Sequence, residues 1–346
     1  VSAAVAALRP VGAALAALGL VGVGLVAFGY PAEPALRALL AGSVGSADAW
    51  VATLLKTTPL LLAGLAVALA FRAGVWNIGA EGQLYAGALA ATWVATGALS
   101  DAPGVLLVPV VMGAAALGGL AFGALAGGLR AWRGVNEVIT TLMLNFVAIE
   151  LVALAVHGPL QEAAGAYPQS EAFPAAARLP AWGRLHAAVP GALLAAALTS
   201  WLVFRTPTGF RLRAVGLSPR AARFAGIPTA GYGVLALALS GALAGLAGGA
   251  EVAGVTGRLY EGISPGHGYT AIAVALLARL HPLGVVPAAL FFGALEAGAG
   301  AMQRQAGVPS VATEIVQGAV VLLSVGFAFA GRGTVASPVR RRAKEH

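Results

Sequence analysis

The stretch "GVWNIGAEGQ", Gly74 to Gln83, lies between two long apolar runs. It places Asn77, Glu81 and Gln83 within seven residues of a chain that carries little charge. Gly74, Gly79 and Gly82 loosen the backbone, so a helix is expected to break here. Asn77 is expected to cap the helix that resumes, which puts Glu81 in its first turn, where the helix dipole favours an acid. Non-helical backbone at membrane depth is tolerated only where it is buried in protein or lines a cavity. The polar residues therefore read as fittings of a helix break rather than as a catalytic site. A proton site at Glu81 is the alternative.

That reading needs a membrane around it, and composition supplies one. The chain has 346 residues, 59% hydrophobic and 10% charged, with a mean hydropathy of +0.86. Soluble domains carry about a quarter charged residues. So few charges cannot cover a water-facing surface, and the fold class is all-α, a polytopic helical membrane protein. The 48 glycines fit helices that associate in lipid by close backbone approach. A GC-rich genome also favours Gly, Ala and Arg. The absence of cysteine excludes disulfides, thiolate metal sites and Cys nucleophiles. The net charge of +8 comes from arginines beside apolar runs. That placement indicates membrane topology rather than nucleic-acid binding.

Uncharged runs of about spanning length cover 11–28, 57–71, 84–100, 102–129, 138–156 (with Glu150), 187–204, 227–250, 282–302 (with Glu296) and 315–331. A shorter one covers 268–278. The first, preceded by Arg9, is too long for a usual signal-peptide core and reads as a spanning helix. Arginines at 130 and 133, at 205–223 and at 332–342 mark one side, as does Arg9. By the positive-inside rule that side is cytoplasmic and holds both termini. About 10 transmembrane helices satisfy every marker; 8 follow if the segments around 72–83 and 268–280 dip in and return. Residues 1–332 then form one transmembrane domain, with a cytoplasmic loop about 205–230, an outer loop about 157–188 and a basic tail, 333–346. The outer loop offers either a partner surface or a plain linker.

No catalytic, metal or cofactor constellation stands out. A nucleotide-binding loop needs Gly immediately before Lys, and Lys56 follows Leu55. His267 in "SPGHGYT" reads as a turn histidine. Glu81, Glu150, Glu251 and Glu296 interrupt apolar runs and need water, partners or protonation there. In "RAVGLSPRAARFAGIP", Ser218 is a good N-cap and Pro219 suits the first helical position. Gly226 and Pro228 end what starts there. The result is a short basic helix between two spans, shaped to fit a groove on a cytoplasmic partner.

Four blocks, "FRAGVWNIGAEGQLYAGALAA" (71–91), "GVNEVITTLMLNFVA" (134–148), "RAVGLSPRAARFAGI" (213–227) and "YTAIAVALLARLHPLGVVPAALFFGAL" (269–295), together resemble one family. It is the permease subunit of bacterial ABC importers in the branched-chain amino acid, simple sugar and nucleoside superfamily. "NIGAEGQ" and "GVNEVITTLMLN" are most similar to the nucleoside, guanosine-type branch. The resemblance implies a multi-pass protein of the inner membrane and two permease subunits, identical or paralogous. It also implies cytoplasmic ABC ATPase subunits that hydrolyse ATP and an extracytoplasmic substrate-binding lipoprotein. On this basis Asn77, Glu81, Gln83 and Asn145 are expected along the substrate pathway. Arg213, Ser218, Pro219, Arg220 and Arg223 are expected in the loop that engages the ATPase. A simple sugar or a branched-chain amino acid is the alternative cargo; a proton-coupled transporter using Glu81 and a passive channel are the alternative mechanisms.

Overall fold

The computed structural model describes residues 22–27, 29–97, 99–100 and 102–309, with isolated positions at 19, 311, 315 and 318. The expected spans at 11–28 and 315–331 lie largely outside the described residues, as do both termini and the basic tail 333–346.

The described chain is mostly helical. Helix α1 (Ala32–Val44) is followed by α2 (Ala47–Arg72), α3 (Ala80–Thr96), α4 (Gly104–Arg133) and α5 (Glu137–Val156). After an outer segment come α6 (Ala188–Arg205), α7 (Pro207–Leu217), α8 (Pro219–Phe224) and α9 (Thr229–Ala250). The last of these runs on into a π-helical turn, Glu251–Thr256. Helices α10 (His267–Leu277) and α11 (Pro282–Ala306) complete the set. Six of these, α2, α4, α5, α6, α9 with its π turn, and α11, are long and apolar enough to cross a bilayer. The chain is a multi-pass membrane protein.

Side-chain and backbone contacts sort the connections into two faces. On the arginine-rich face, Arg72 Nε donates to the Leu280 carbonyl at 2.9 Å and Arg211 donates to the Tyr232 hydroxyl. Phe204 stacks on His281 there, and Arg130 pairs with Glu137. The Leu280 carbonyl belongs to a turn in which Arg279 and Leu280 both have left-handed backbones (φ 51° and 59°). That conformation is uncommon for residues with a Cβ, and the Arg72 bond helps to hold it. On the opposite face, His157 meets Glu261 and Arg258 meets Glu162.

The segment between α5 and α6 is ordered against the chain that follows α9. Its backbone bonds to residues 253–259 through Ser170, Phe173 and Leu179. A two-stranded hairpin, β1 (Ala181–Trp182) and β2 (Leu185–His186), ends it. His186 is buried against Gly254, and neither ring nitrogen has a partner. Burial pushes its pKa down, so the ring is neutral.

Helices α3 and α10 are short. At 1.5 Å per residue α3 is about 25 Å long and α10 about 16 Å, against a hydrocarbon core of about 30 Å. Each is entered through non-helical chain: 73–79 leads from the arginine-rich face into α3, and 257–266 leads from the outer face into α10. The two segments whose dipping would reduce the span count to 8 thus lead into a pair of short helices entered from opposite faces.

Packing explains part of the glycine content. A Cβ at Gly119 would strike the Gly241 carbonyl, one at Gly123 the Leu237 carbonyl, and one at Gly241 the Gly119 carbonyl. Helices α4 and α9 therefore touch backbone to backbone, with Gly87 of α3 against Gly245. Lipid tails give helices no hydrophobic reason to associate, so dispersion contacts at this range hold them together. Gly241→Leu is expected to cost more than the roughly 1–3 kcal/mol of ordinary overpacking and to abolish a monodisperse peak in detergent gel filtration. Gly113→Ala, where the new methyl meets nothing within 4 Å, should leave elution and melting unchanged.

Candidate functional site

The stretch 73–83 does break the helix. Gly74 carries the reversal with a positive φ of 74°, and the chain runs non-helical through Gly79 before α3 starts at Ala80. Gly79 and Gly82 serve another purpose. Both have ordinary backbones, and their missing Cβ atoms admit α5: a Cβ on Gly79 would lie 2.9 Å from Thr141 Cβ, one on Gly82 2.6 Å from Asn145 Cα. Asn145 is nine residues into α5, about 12 Å from its start, so the break lies at membrane depth.

Asn77 is not the N-cap of α3; Gly79 occupies that position without a side-chain cap. The Asn77 Oδ1 instead accepts the Gly79 N–H at 2.8 Å, an Asx turn that aims the chain into the helix. Its Nδ2 donates to Gln83 Oε1 (2.8 Å) and to Ser240 Oγ (2.7 Å), and Gln83 Nε2 donates back to Asn77 Oδ1 (3.2 Å). Ser240 passes its own proton to the Ala66 carbonyl of α2. All three side chains are buried, and Asn77 has no bonding capacity left. Asn145 does the same from α5. It accepts the Gly82 N–H at 2.8 Å and donates to the Ile78 carbonyl at 3.0 Å. Thr141 Oγ1 takes the Ile78 N–H. Polar backbone that hydrocarbon would strand is thereby satisfied.

Glu81 sits in the first turn of α3 and is buried. Its Oε2 accepts the Gly268 N–H at 2.6 Å, in the first turn of α10, whose own N-cap Gly266 offers no side chain. A Cβ on Gly268 would collide with the Glu81 backbone, so the two helix starts are in direct contact. Two positive helix ends converge on one carboxylate.

On the side of this junction away from the arginine-rich face lies a charged group. Lys56 of α2 pairs with Glu296 of α11 at 2.9 Å. The buried His267, first residue of α10, sets Nε2 3.3 Å from the same carboxylate. Its position is thus a helix start in an ion-pair group, where the sequence read as a turn. Glu150 is exposed on α5 and stands apart.

At the arginine-rich face, Ser218 caps α8 by accepting the Ala221 N–H, Pro219 opens the helix, and Gly226 follows it with a φ of 74°. Arg220 and Arg223 are exposed, beside Leu217 (87% exposed) and Phe224 (94%). Arg213 is turned away from them, over the Phe204 ring at 5.3 Å. Behind α8, a Cβ on Gly216 of α7 would strike the Arg72 carbonyl, and one on Gly74 would lie 2.9 Å from Gly216 Cα. The protruding helix pair thus rests on the turn that begins the break.

Residues 49–325 match the family described as branched-chain amino acid transport system / permease component. The chain belongs to that family. Over 305 residues this permease is 39% identical to the glucose ABC transporter permease protein of Haloferax volcanii, covering 84% of this chain and 80% of that one. It is 36% identical over 310 residues to the guanosine ABC transporter permease protein of Bacillus subtilis, covering 88% of each. It is 31% identical over 306 residues to the nucleoside ABC transporter permease protein of Lactococcus lactis, covering 85% and 84%. The protein is a transport component rather than an enzyme.

Sequence reasoning missed Ser240 and Gly268 as members of the permease site, because neither differs locally from other small residues in apolar helices. It also passed over Lys56, a lone lysine early in a long apolar helix, which was a usable signal. Truncating Asn77 or Gln83 to Ala should each destabilise the purified permease by about 1–3 kcal/mol, since buried partners are left unpaired. The double variant should cost clearly less than the sum in detergent melting. Strict additivity would show that the two amides share no network.

Proposed function

We propose that this permease is the membrane subunit of an ATP-driven importer that carries nucleosides across the cytoplasmic (inner) membrane of a bacterium. The observation that carries the reading is the contact between the α7–α8 pair and the start of the helix break. A force on the exposed face of Arg220, Arg223, Leu217 and Phe224 reaches Gly216, then the Arg72–Gly74 turn, then the segment that Asn77 anchors. In this reading cytoplasmic ABC ATPase subunits bind Ser218–Gly226 and tilt α3 and its neighbours. Substrate then passes along an interface with a second permease subunit, of the same or a paralogous chain. About ten spans, with both termini in the cytoplasm and a tail at 333–346, complete the single domain 1–332. The ordered outer loop, with Tyr167 and Trp182 exposed, suits docking of a substrate-binding lipoprotein.

Asn77, Gln83 and Asn145 shape the pathway by holding the break, since their polar atoms are engaged within the protein. Glu81 joins the starts of the two short helices. A carboxylate anchored on a backbone N–H in this way suits a fixed junction better than a proton shuttle. Nucleosides are neutral and amphipathic, which suits a route with few charges. Glucose is the second reading of the cargo, favoured by the 39% identity to the haloarchaeal glucose permease.

In proteoliposomes carrying the permease, its ATPases and its binding protein, nucleoside uptake should require ATP. Uptake without ATPase subunits would defeat the proposal, and competition between unlabelled glucose and guanosine names the cargo. Replacing Arg220 and Arg223 together by Glu should weaken ATPase association about tenfold in co-purification.

A further inference from the structure

Helix α2 is enclosed along most of its length. Every residue from Thr57 to Ala70 is buried, and Lys56 is the first exposed one met toward the outer face. The Lys56 side chain is 46% exposed and stands about 13 Å along the helix from its outer end. An ammonium at that depth cannot face lipid tails without a large cost, and this one turns sideways to Glu296 instead of up to the headgroups. The surface at Lys56 therefore borders water or polar ligand.

Four more groups lie close to it. Glu296 joins Lys56 to His267, whose Nδ1 is buried without a partner while the residue is 3% exposed. Glu251 opens the π-helical turn at the end of α9, a type of irregularity that often re-aims side chains at functional sites. It lies within electrostatic reach of Lys56, His267 and Glu296, yet its carboxylate makes no hydrogen bond or ion pair among the described residues. Tyr260, partly exposed, lies near Lys56 and Glu251. Its segment is pinned to the outer loop through Gln169.

We propose that Lys56, Glu251, Tyr260, His267 and Glu296 form a subsite for the vicinal hydroxyls of a neutral, ring-shaped ligand. The chemistry follows from the donor set. With two carboxylates against one ammonium, the group offers an anion no excess of positive charge. Among the described residues no cluster of three or more His, Asp or Glu is placed to hold a metal ion. The unpaired Glu251 carboxylate accepts two adjacent hydroxyl protons, the free Lys56 hydrogens donate to the hydroxyl oxygens, the buried His267 holds Glu296 in place through Nε2, and Tyr260 covers a ring face. Ribose and hexose both present such a diol. The subsite deepens the importer reading and rests on it for its place on the transport route.

Lys56 is one of two lysines in the chain, the other being Lys344, so amine labelling reads it directly. The permease assembled with its ATPases is treated with an impermeant amine reagent, and both lysines are quantified by mass spectrometry. Lys56 should react, and millimolar guanosine or glucose should slow the reaction about tenfold, the one that protects naming the source of the diol. A 2′,3′-dideoxynucleoside should protect little. Glu251→Gln, which breaks no internal pair, should remove about tenfold of the protection, the loss of one charge-assisted bond. Glu296→Gln should do the same while raising Lys56 reactivity. An unreactive Lys56, equal protection by the dideoxy compound, or undiminished protection in Glu251→Gln overturns the subsite. The assay needs neither ATP nor uptake, so it separates failure of the subsite from failure of the importer reading.

Discussion

The bond from the Gly268 N–H to the Glu81 carboxylate joins two helix starts that would otherwise leave charge and backbone polarity stranded in hydrocarbon. Each of α3 and α10 begins inside the protein, where water cannot satisfy its first N–H groups. One carboxylate in the first turn of α3 answers the first turn of α10, and Asn145 and Asn77 answer α3 itself. The geometry tolerates nothing larger than glycine at 268, because the backbones of the two helices meet there. Remove that junction and neither short helix has a reason to start where it does.

Around it, stability comes from proximity rather than from burying oil. The enclosing helices are as apolar as the lipid they displace, so close backbone approach along Gly119, Gly123, Gly241 and Gly245 holds α4 and α9 together. Polar side chains are then used sparingly and in closed sets. The Asn77–Gln83–Ser240 network has every bond of its central amide made, and it fastens the non-helical segment to α2 and α9 as well as to α3.

Much of this was legible in the chain. Composition and run length gave a helical membrane protein, "NIGAEGQ" gave a helix break with Glu81 in the next first turn, and Ser218, Pro219 and Gly226 gave the bounds of α8. What was not legible depends on contacts between distant residues. Asn77 looked like a helix cap, but the start of α3 is fixed by α5, whose Asn145 and Thr141 bring it in close. Gly79 and Gly82 looked like points of flexibility and are points of contact, a distinction that needs the neighbour to be known. Arg213 counted with the exposed arginines, although the Phe204 ring turns it inward. Lys56 and Glu296 lie 240 positions apart, beyond the reach of any local pattern.

The chain enters its two short helices from opposite faces, and each entry is tied to a different handle. The segment before α3 rests on Gly216 beneath the protruding α7–α8 pair; the segment before α10 is stitched to the outer loop through Ser170, Phe173 and Gln169. Both handles thus connect, through the entry segments, to the same carboxylate. In such a junction a shift of one entry alone would strain the bond, whereas a joint shift would carry α3 and α10 together with the bond intact.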